Sequence, residues 1–160
     1  MNIILVTLLL GPGGAERQVC DLADSFHDAG HAVSILNVTG PVVFTPKNPD
    51  IKIYSLHMNK TIVGFFSGYL MLRSLVNTIN PDIVHSHQFS ANILTRLLRL
   101  SFTKIPRLIC TAHSSNEGGS LRMLAYRLTN FLADFNTNVS QEAVDAFVAK
   151  KAFRQGQLLA

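Results

Sequence analysis

The chain lacks any uninterrupted apolar stretch of the roughly 20 residues that a bilayer-spanning helix requires, so no spanning segment is expected. It has no basic start and no small-residue cleavage site after its first apolar run. Residues 3–10 are followed instead by Gly11-Pro12-Gly13-Gly14-Ala15-Glu16-Arg17. That run is therefore expected to be a first strand, and the protein cytoplasmic. Cysteine is scarce: Cys20 and Cys110 have no metal-type spacing and are expected as buried free thiols. Charge is also low, at 15% of residues against 48% hydrophobic, which excludes a disordered chain.

Other absences narrow the chemistry. A dinucleotide-binding Gly-x-Gly-x-x-Gly needs a third glycine that Gly11-Pro12-Gly13-Gly14-Ala15-Glu16 does not supply. The acidic residue wanted after the second strand is missing, because Asn37-Val38-Thr39 stands there. Neither a Walker Gly-Lys-Ser/Thr nor a Gly-x-Ser-x-Gly element occurs. A nicotinamide-dependent oxidoreductase and a serine hydrolase are both disfavoured.

What is present is a β-α alternation. Continuous apolar runs match the strands of a parallel sheet buried on both faces. Strands are expected at residues 3–10, 32–38, 51–56, 82–85, 107–112 and 135–139. Helices are expected at residues 15–29, 65–79, 90–100, 121–132 and 141–153. Gly30 is placed to end the first helix and Ser140 to cap the last. The stretch 40–50, with three prolines, is loop. At 160 residues this is one domain, an α/β, Rossmann-like doubly wound parallel sheet.

In such a sheet ligands gather at the carboxyl ends of the strands. Three polar segments fall there: residues 11–16, 85–88 and 113–117. The first brings bare backbone N–H groups to a helix N-terminus, where an anion is favoured, and Gly13 and Gly14 allow close approach. That turn either contacts a phosphate or is a plain strand-to-helix turn. Strand alternation sends His85 and His87 to one side. His85 is expected to pack under the loop and His87 to reach a hydroxylated ligand. No acidic or thiol set accompanies them at ligand spacing, so no metal site is expected. His113 suits hydrogen bonding to a sugar hydroxyl or proton transfer. The apolar stretch 62–75 is expected to be a core helix, with a membrane-interface role as its rival.

The chain resembles the N-terminal domain of a GT-B fold glycosyltransferase of the retaining family 4. The resemblance rests on Gly13-Gly14-Ala15-Glu16-Arg17, Leu22-Ala23, Ala29-Gly30-His31-Ala32-Val33, Pro81-Asp82-Ile83-Val84-His85-Ser86-His87, Thr111-Ala112-His113, Ala133-Asp134 and Val139-Ser140, in order along the chain. It implies transfer of a sugar from a nucleotide-sugar donor to a glycan or glycolipid acceptor of the cell envelope, with retained configuration. It implies His113 as the catalytic residue and Gly13, Gly14 and Ala15 at the donor phosphates. Glu16, Arg17, His87 and Ser114 become candidates for the acceptor. Neither a cofactor nor a metal is expected, the nucleotide-sugar being the substrate. Residues 1–160 would form the acceptor-side domain, without the second, nucleotide-sugar-binding domain, and would be inactive alone. With a net charge of +4, contact with an anionic membrane at the inner face of the plasma membrane is a possible addition, and no nucleic-acid partner is expected. The rival is a non-catalytic Rossmann-like module that binds a phosphorylated sugar or nucleotide.

Overall fold

A computed structural model of the chain describes residues 1–59, 61–101, 105–115 and 117–158. Six strands, β1 (Asn2–Thr7), β2 (Ala32–Asn37), β3 (Lys52–Ser55), β4 (Ile83–His87), β5 (Arg107–Ala112) and β6 (Phe135–Asn138), form one sheet in the order β3-β2-β1-β4-β5-β6. Every neighbouring pair is parallel. Five helices connect or follow them: α1 (Gly14–Asp28), α2 (Ile62–Ile79), α3 (Phe89–Leu100), α4 (Ser120–Thr129) and α5 (Gln141–Ala149).

The pleat sends successive side chains to opposite faces, so β1 feeds two cores. Ile4 and Val6 join Leu36, Val84, Leu108 and Cys110 beneath Leu72 and Val76 of α2 and Leu94 and Leu98 of α3. Ile3 and Leu5 join Val33, Ile35 and Ile51 beneath Val19, Cys20 and Ala23 of α1. A third cluster unites Met123 and Tyr126 of α4 with Phe147, Ala152 and Phe153. Both cysteines are free and buried, as expected. Burial and the nearby Asp24 and Asp21 push the Cys20 thiol up to about 11, which makes it unreactive.

Boundaries differ from expectation where side chains compete with the regular ladder. β1 stops at Thr7, whose Oγ1 donates to the Leu9 carbonyl at 3.2 Å; Leu10 then forms only an isolated bridge to Val42. β4 runs on to His87 because β1 and β5 pair with it on both sides. α2 starts earlier than expected, at Ile62, because the Thr61 hydroxyl caps Gly64 N–H at 3.0 Å. α5 stops at Ala149, and the N–H groups of Ala152 and Phe153 both turn back to the Phe147 carbonyl. Its N-cap is Ser140, as read from the sequence.

Two apolar stripes are not core. α2 is long and apolar enough by length and composition to cross a membrane, which the sequence did not lead us to expect. Its second half packs Leu72 and Val76 onto the sheet, but Ile62, Val63, Phe66 and Leu70 near its start are exposed. On α4 the stripe Leu121, Leu124, Leu128 and on to Phe131 faces outward, while Met123 and Tyr126 are buried.

α1 ends in a paired C-cap. Gly30 N–H bonds the His27 carbonyl at 2.8 Å and His31 N–H bonds the Phe26 carbonyl at 3.1 Å. Gly30 sits at φ +81°, with open space where a Cβ would be. The substitution Gly30→Ala therefore probes backbone conformation alone. It should destabilise the fold by about 1 kcal/mol in urea unfolding, the cost of a left-handed L-residue.

Candidate active site

The strand order reverses between β1 and β4, and the crevice at the carboxyl ends of these two strands is where the three polar segments meet. α1 enters it from β1 with Gly13 as N-cap, in extended conformation and with no side-chain cap. Glu16, in the first turn, folds back over that end: a Cβ on Gly13 would collide with the Glu16 carboxylate. Gly14 meets nothing, so its requirement for glycine is not steric within the domain. The helix dipole favours the negative charge of Glu16 at this position.

α3 enters the same crevice from β4. Its N-cap is Gln88, held at φ 72°. Such a conformation is costly for a residue with a Cβ and survives only where surroundings enforce it. Two bonds do so: Gln88 N–H donates to the Thr111 carbonyl at 3.1 Å, and its Nε2 donates to Glu16 Oε1 at 2.7 Å. The side-chain bond ties the start of α1 to the start of α3 across the crevice. Gln88 Oε1 is buried without a partner.

Below this lies a row of three histidines. His85 and His87 share one side of β4, with ring centroids 4.3 Å apart. His87 and His113 follow at 5.4 Å, with His87 Nδ1 3.2 Å from His113 Nε2. His85 Nε2 is bonded to Thr111 Oγ1 at 2.7 Å. Burial and the other histidines resist protonation: the His85 imidazole is lowered to about 4 and His87 well below its ordinary value. Burial also lowers His113, opposed by the nearby Glu16 carboxylate. Among the described residues no group of three or more His, Cys, Asp or Glu is arranged to hold a metal.

The loop after β5 closes the site. His113 N–H donates to Glu117 Oε1 at 2.7 Å, and Glu117 N–H donates to Ser114 Oγ at 2.8 Å. Arg122 Nη1 bonds the Glu117 carbonyl at 2.8 Å and its guanidinium lies over the Phe89 ring.

Of the residues singled out from the sequence, Gly13, Glu16, His87 and His113 come together around the crevice. Gly14 and Ala15 continue the first turn of α1. His87 is only 2% exposed and meets His113, so it lies beneath the rim. Arg17 is exposed on α1 and faces Asp21 at 4.0 Å. Ser114 is exposed and serves its own loop. Sequence reasoning left out Gln88, Thr111 and Glu117 as site residues. Gln88 and Glu117 both have positive φ, which no local pattern announced.

The unfolded chain takes up protons on histidine below about pH 6.5, whereas His85 in the fold does so only near 4. The stability these groups contribute is complete above 6.5 and is lost as pH falls toward 4. The unfolding midpoint should drop steeply in that window. In His85→Phe the slope should be shallower even though Thr111 loses its partner. An equal slope in both proteins would show that the acid limb comes from elsewhere.

Among curated proteins none matches the chain. Solved structures do. Sucrose-phosphate synthase from Thermosynechococcus elongatus superposes with a TM-score of 0.77 at 14% identity, over 99% of this chain and 47% of that one. The apo form of the lipopolysaccharide outer core galactosyltransferase WaaB gives 0.78 at 13% identity, over 100% and 45%. Anabaena HepE in complex with UDP gives 0.68 at 15% identity, over 99% and 43%. The chain thus spans under half the length of these three structures. The model of the family described as Glycosyltransferase Family 4 matches residues 12–154, which takes in the three segments of the crevice except Gly11. This chain, an α/β Rossmann-like domain of the GT-B type, belongs to glycosyltransferase family 4.

Proposed function

We propose that this domain is the acceptor-side half of a retaining, hexosyltransferase-type enzyme that moves a sugar from a nucleotide-sugar donor to a cell-envelope glycan or glycolipid. The observation that carries the reading is the meeting of two helix starts and the His113 loop at the switch point between β1 and β4. The family and the nucleotide held by HepE support a nucleotide-sugar, and WaaB supports an envelope acceptor.

The backbone of Gly13, Gly14 and Ala15 at the start of α1 is the element suited to the donor diphosphate. Its dipole stabilises the charge that grows on the departing diphosphate. His113, neutral at pH 7 because burial lowers it, lies beside the transferred sugar. Glu16, Arg17 and Ser114 surround the acceptor, and His87 acts on it through His113. Neither a metal nor a cofactor takes part. The nucleotide base and most of the donor belong to a second domain outside these 160 residues, so the domain alone does not turn over.

The test is sugar transfer by the protein encoded by the whole reading frame, with the product anomer read by NMR. His113→Ala should lower kcat/KM by about 100-fold, in the range of a lost donor or proton-transfer group. An unchanged value would remove His113 from the site. Nucleotide binding without any transfer would leave the non-catalytic module as the description.

Charge distribution supports work at the inner face of the plasma membrane. Residues 51–133 hold nine of the fourteen Lys and Arg, Arg96 among them being fully buried, but only two of the ten acidic residues, Asp82 and Glu117. That span contains α2 and α4 with their outward apolar stripes. Basic and apolar groups together suit an anionic lipid surface. The chain should float with vesicles rich in anionic lipid and not with neutral ones. Phe66→Glu with Leu70→Glu should abolish flotation and leave thermal unfolding unchanged. Equal recovery with both vesicle types would refute the membrane assignment.

A further inference from the structure

His87 is 2% exposed, and its Nδ1 stands 3.2 Å from His113 Nε2. Two neutral imidazoles so placed share one hydrogen, and which ring carries it decides what His113 offers on its other side. If His113 donates from Nε2, its Nδ1 is a bare lone pair. His87 must then carry its hydrogen on Nε2. That atom is buried with no partner, and His85, whose ring lies against it at a tilt, has its own Nε2 engaged by Thr111. An orphaned buried N–H is rarer and costlier than an acceptor left unfilled. The opposite arrangement leaves only a lone pair unfilled: His87 donates from Nδ1, His113 accepts at Nε2, and His113 carries its hydrogen on Nδ1.

We propose that His87 is a positioning residue that holds His113 as its Nδ1–H tautomer, so that His113 presents a hydrogen-bond donor, and not a base, to an oxygen of the sugar. The inference rests on the reading of His113 as the group beside the transferred sugar. It concerns the ring alone, and no proton leaves it during transfer. Nδ1 of His113 takes part in no hydrogen bond among the described residues and His113 is partly exposed, so this donor is free for a ligand.

The experiment is long-range 1H–15N NMR on the 160-residue chain labelled at histidine nitrogens, at about pH 7.5, above the ordinary histidine range. His113 should show a protonated Nδ1 and an accepting Nε2. His87→Leu removes the donor, and His113 should shift to a mixture in which Nε2–H is the larger share. His87→Asn places a carboxamide N–H close to the lost Nδ1 and should restore the Nδ1–H form. A wild-type His113 protonated at Nε2 overturns the proposal, as does an unchanged tautomer in folded His87→Leu. If His87→Leu does not fold, the wild-type and Asn spectra decide. Sugar transfer is not used in this readout. The proposal and the enzymatic reading therefore fail separately, the latter by absence of transfer with the His113 tautomer as expected.

Discussion

Everything functional in this domain depends on strand direction. Six strands run parallel, so every carboxyl end lies on the same edge of the sheet. The order reverses between β1 and β4, and the helices that follow these strands depart to opposite faces, α1 into one core and α3 into the other. A crevice opens between them at this switch point. The Glu16–Gln88 hydrogen bond at 2.7 Å spans it. Two positive helix ends are thereby held a fixed distance apart, with one carboxylate between them. A phosphate entering the same place would meet the groups that now favour Glu16.

Behind the crevice the structure is unusually polar for a core. Asn92 donates to the Thr111 carbonyl at 2.9 Å and to the Tyr126 hydroxyl at 2.8 Å, and accepts from Ser86 Oγ at 2.7 Å. Arg96, fully buried, donates to Asn136, Thr129 and the Tyr126 carbonyl and lies over the Tyr126 ring. Asn136 continues to Asn130, and Asn130 to Gln157. A buried guanidinium held by neutral acceptors at its two terminal nitrogens, with its Nε left unpartnered, is costly to assemble but sharply defines geometry, since each N–H finds few alternative partners. The network joins α3, α4, β5 and β6, the elements that carry the Gln88 and His113 ends of the site. We connect its rigidity to the narrow placement that a 3.2 Å histidine pair requires.

Two kinds of apolar surface serve different ends. Leu72, Val76, Leu94 and Leu98 seal the sheet; removing such side chains from water is the main stabilising term of the fold. Ile62, Val63, Phe66, Leu70, Leu121 and Leu128 do not contribute to it, being exposed. Both stripes belong to the part of the chain where acidic residues are nearly absent.

The strand and helix order, the parallel sheet, the Gly30 and Ser140 caps and the placement of three polar segments at one edge were all legible in the sequence. Each rests on local rules: apolar periodicity, glycine at a left-handed cap, a hydroxyl before a helix. The ends of β1, β4 and α5 were not legible, because pairing with β5 and the return of Phe153 to Tyr126 are long-range. Helical spacing places Leu121, Leu124, Leu128, Phe131 and Leu132 on one face, but the first four are exposed and Leu132 is buried, and packing against Phe147 of α5 buries the face with Met123 and Tyr126 instead. The same holds in the site. Alternation alone put His85 and His87 on one side. The sequence determined which chemistry could gather at the strand ends. The tertiary structure decided which groups touch: Gln88 with Glu16, His87 with His113 and His113 with Glu117. Such contacts depend on the separation of two helix starts and on left-handed residues at Gln88 and Glu117, and no pattern of neighbouring residues encodes either.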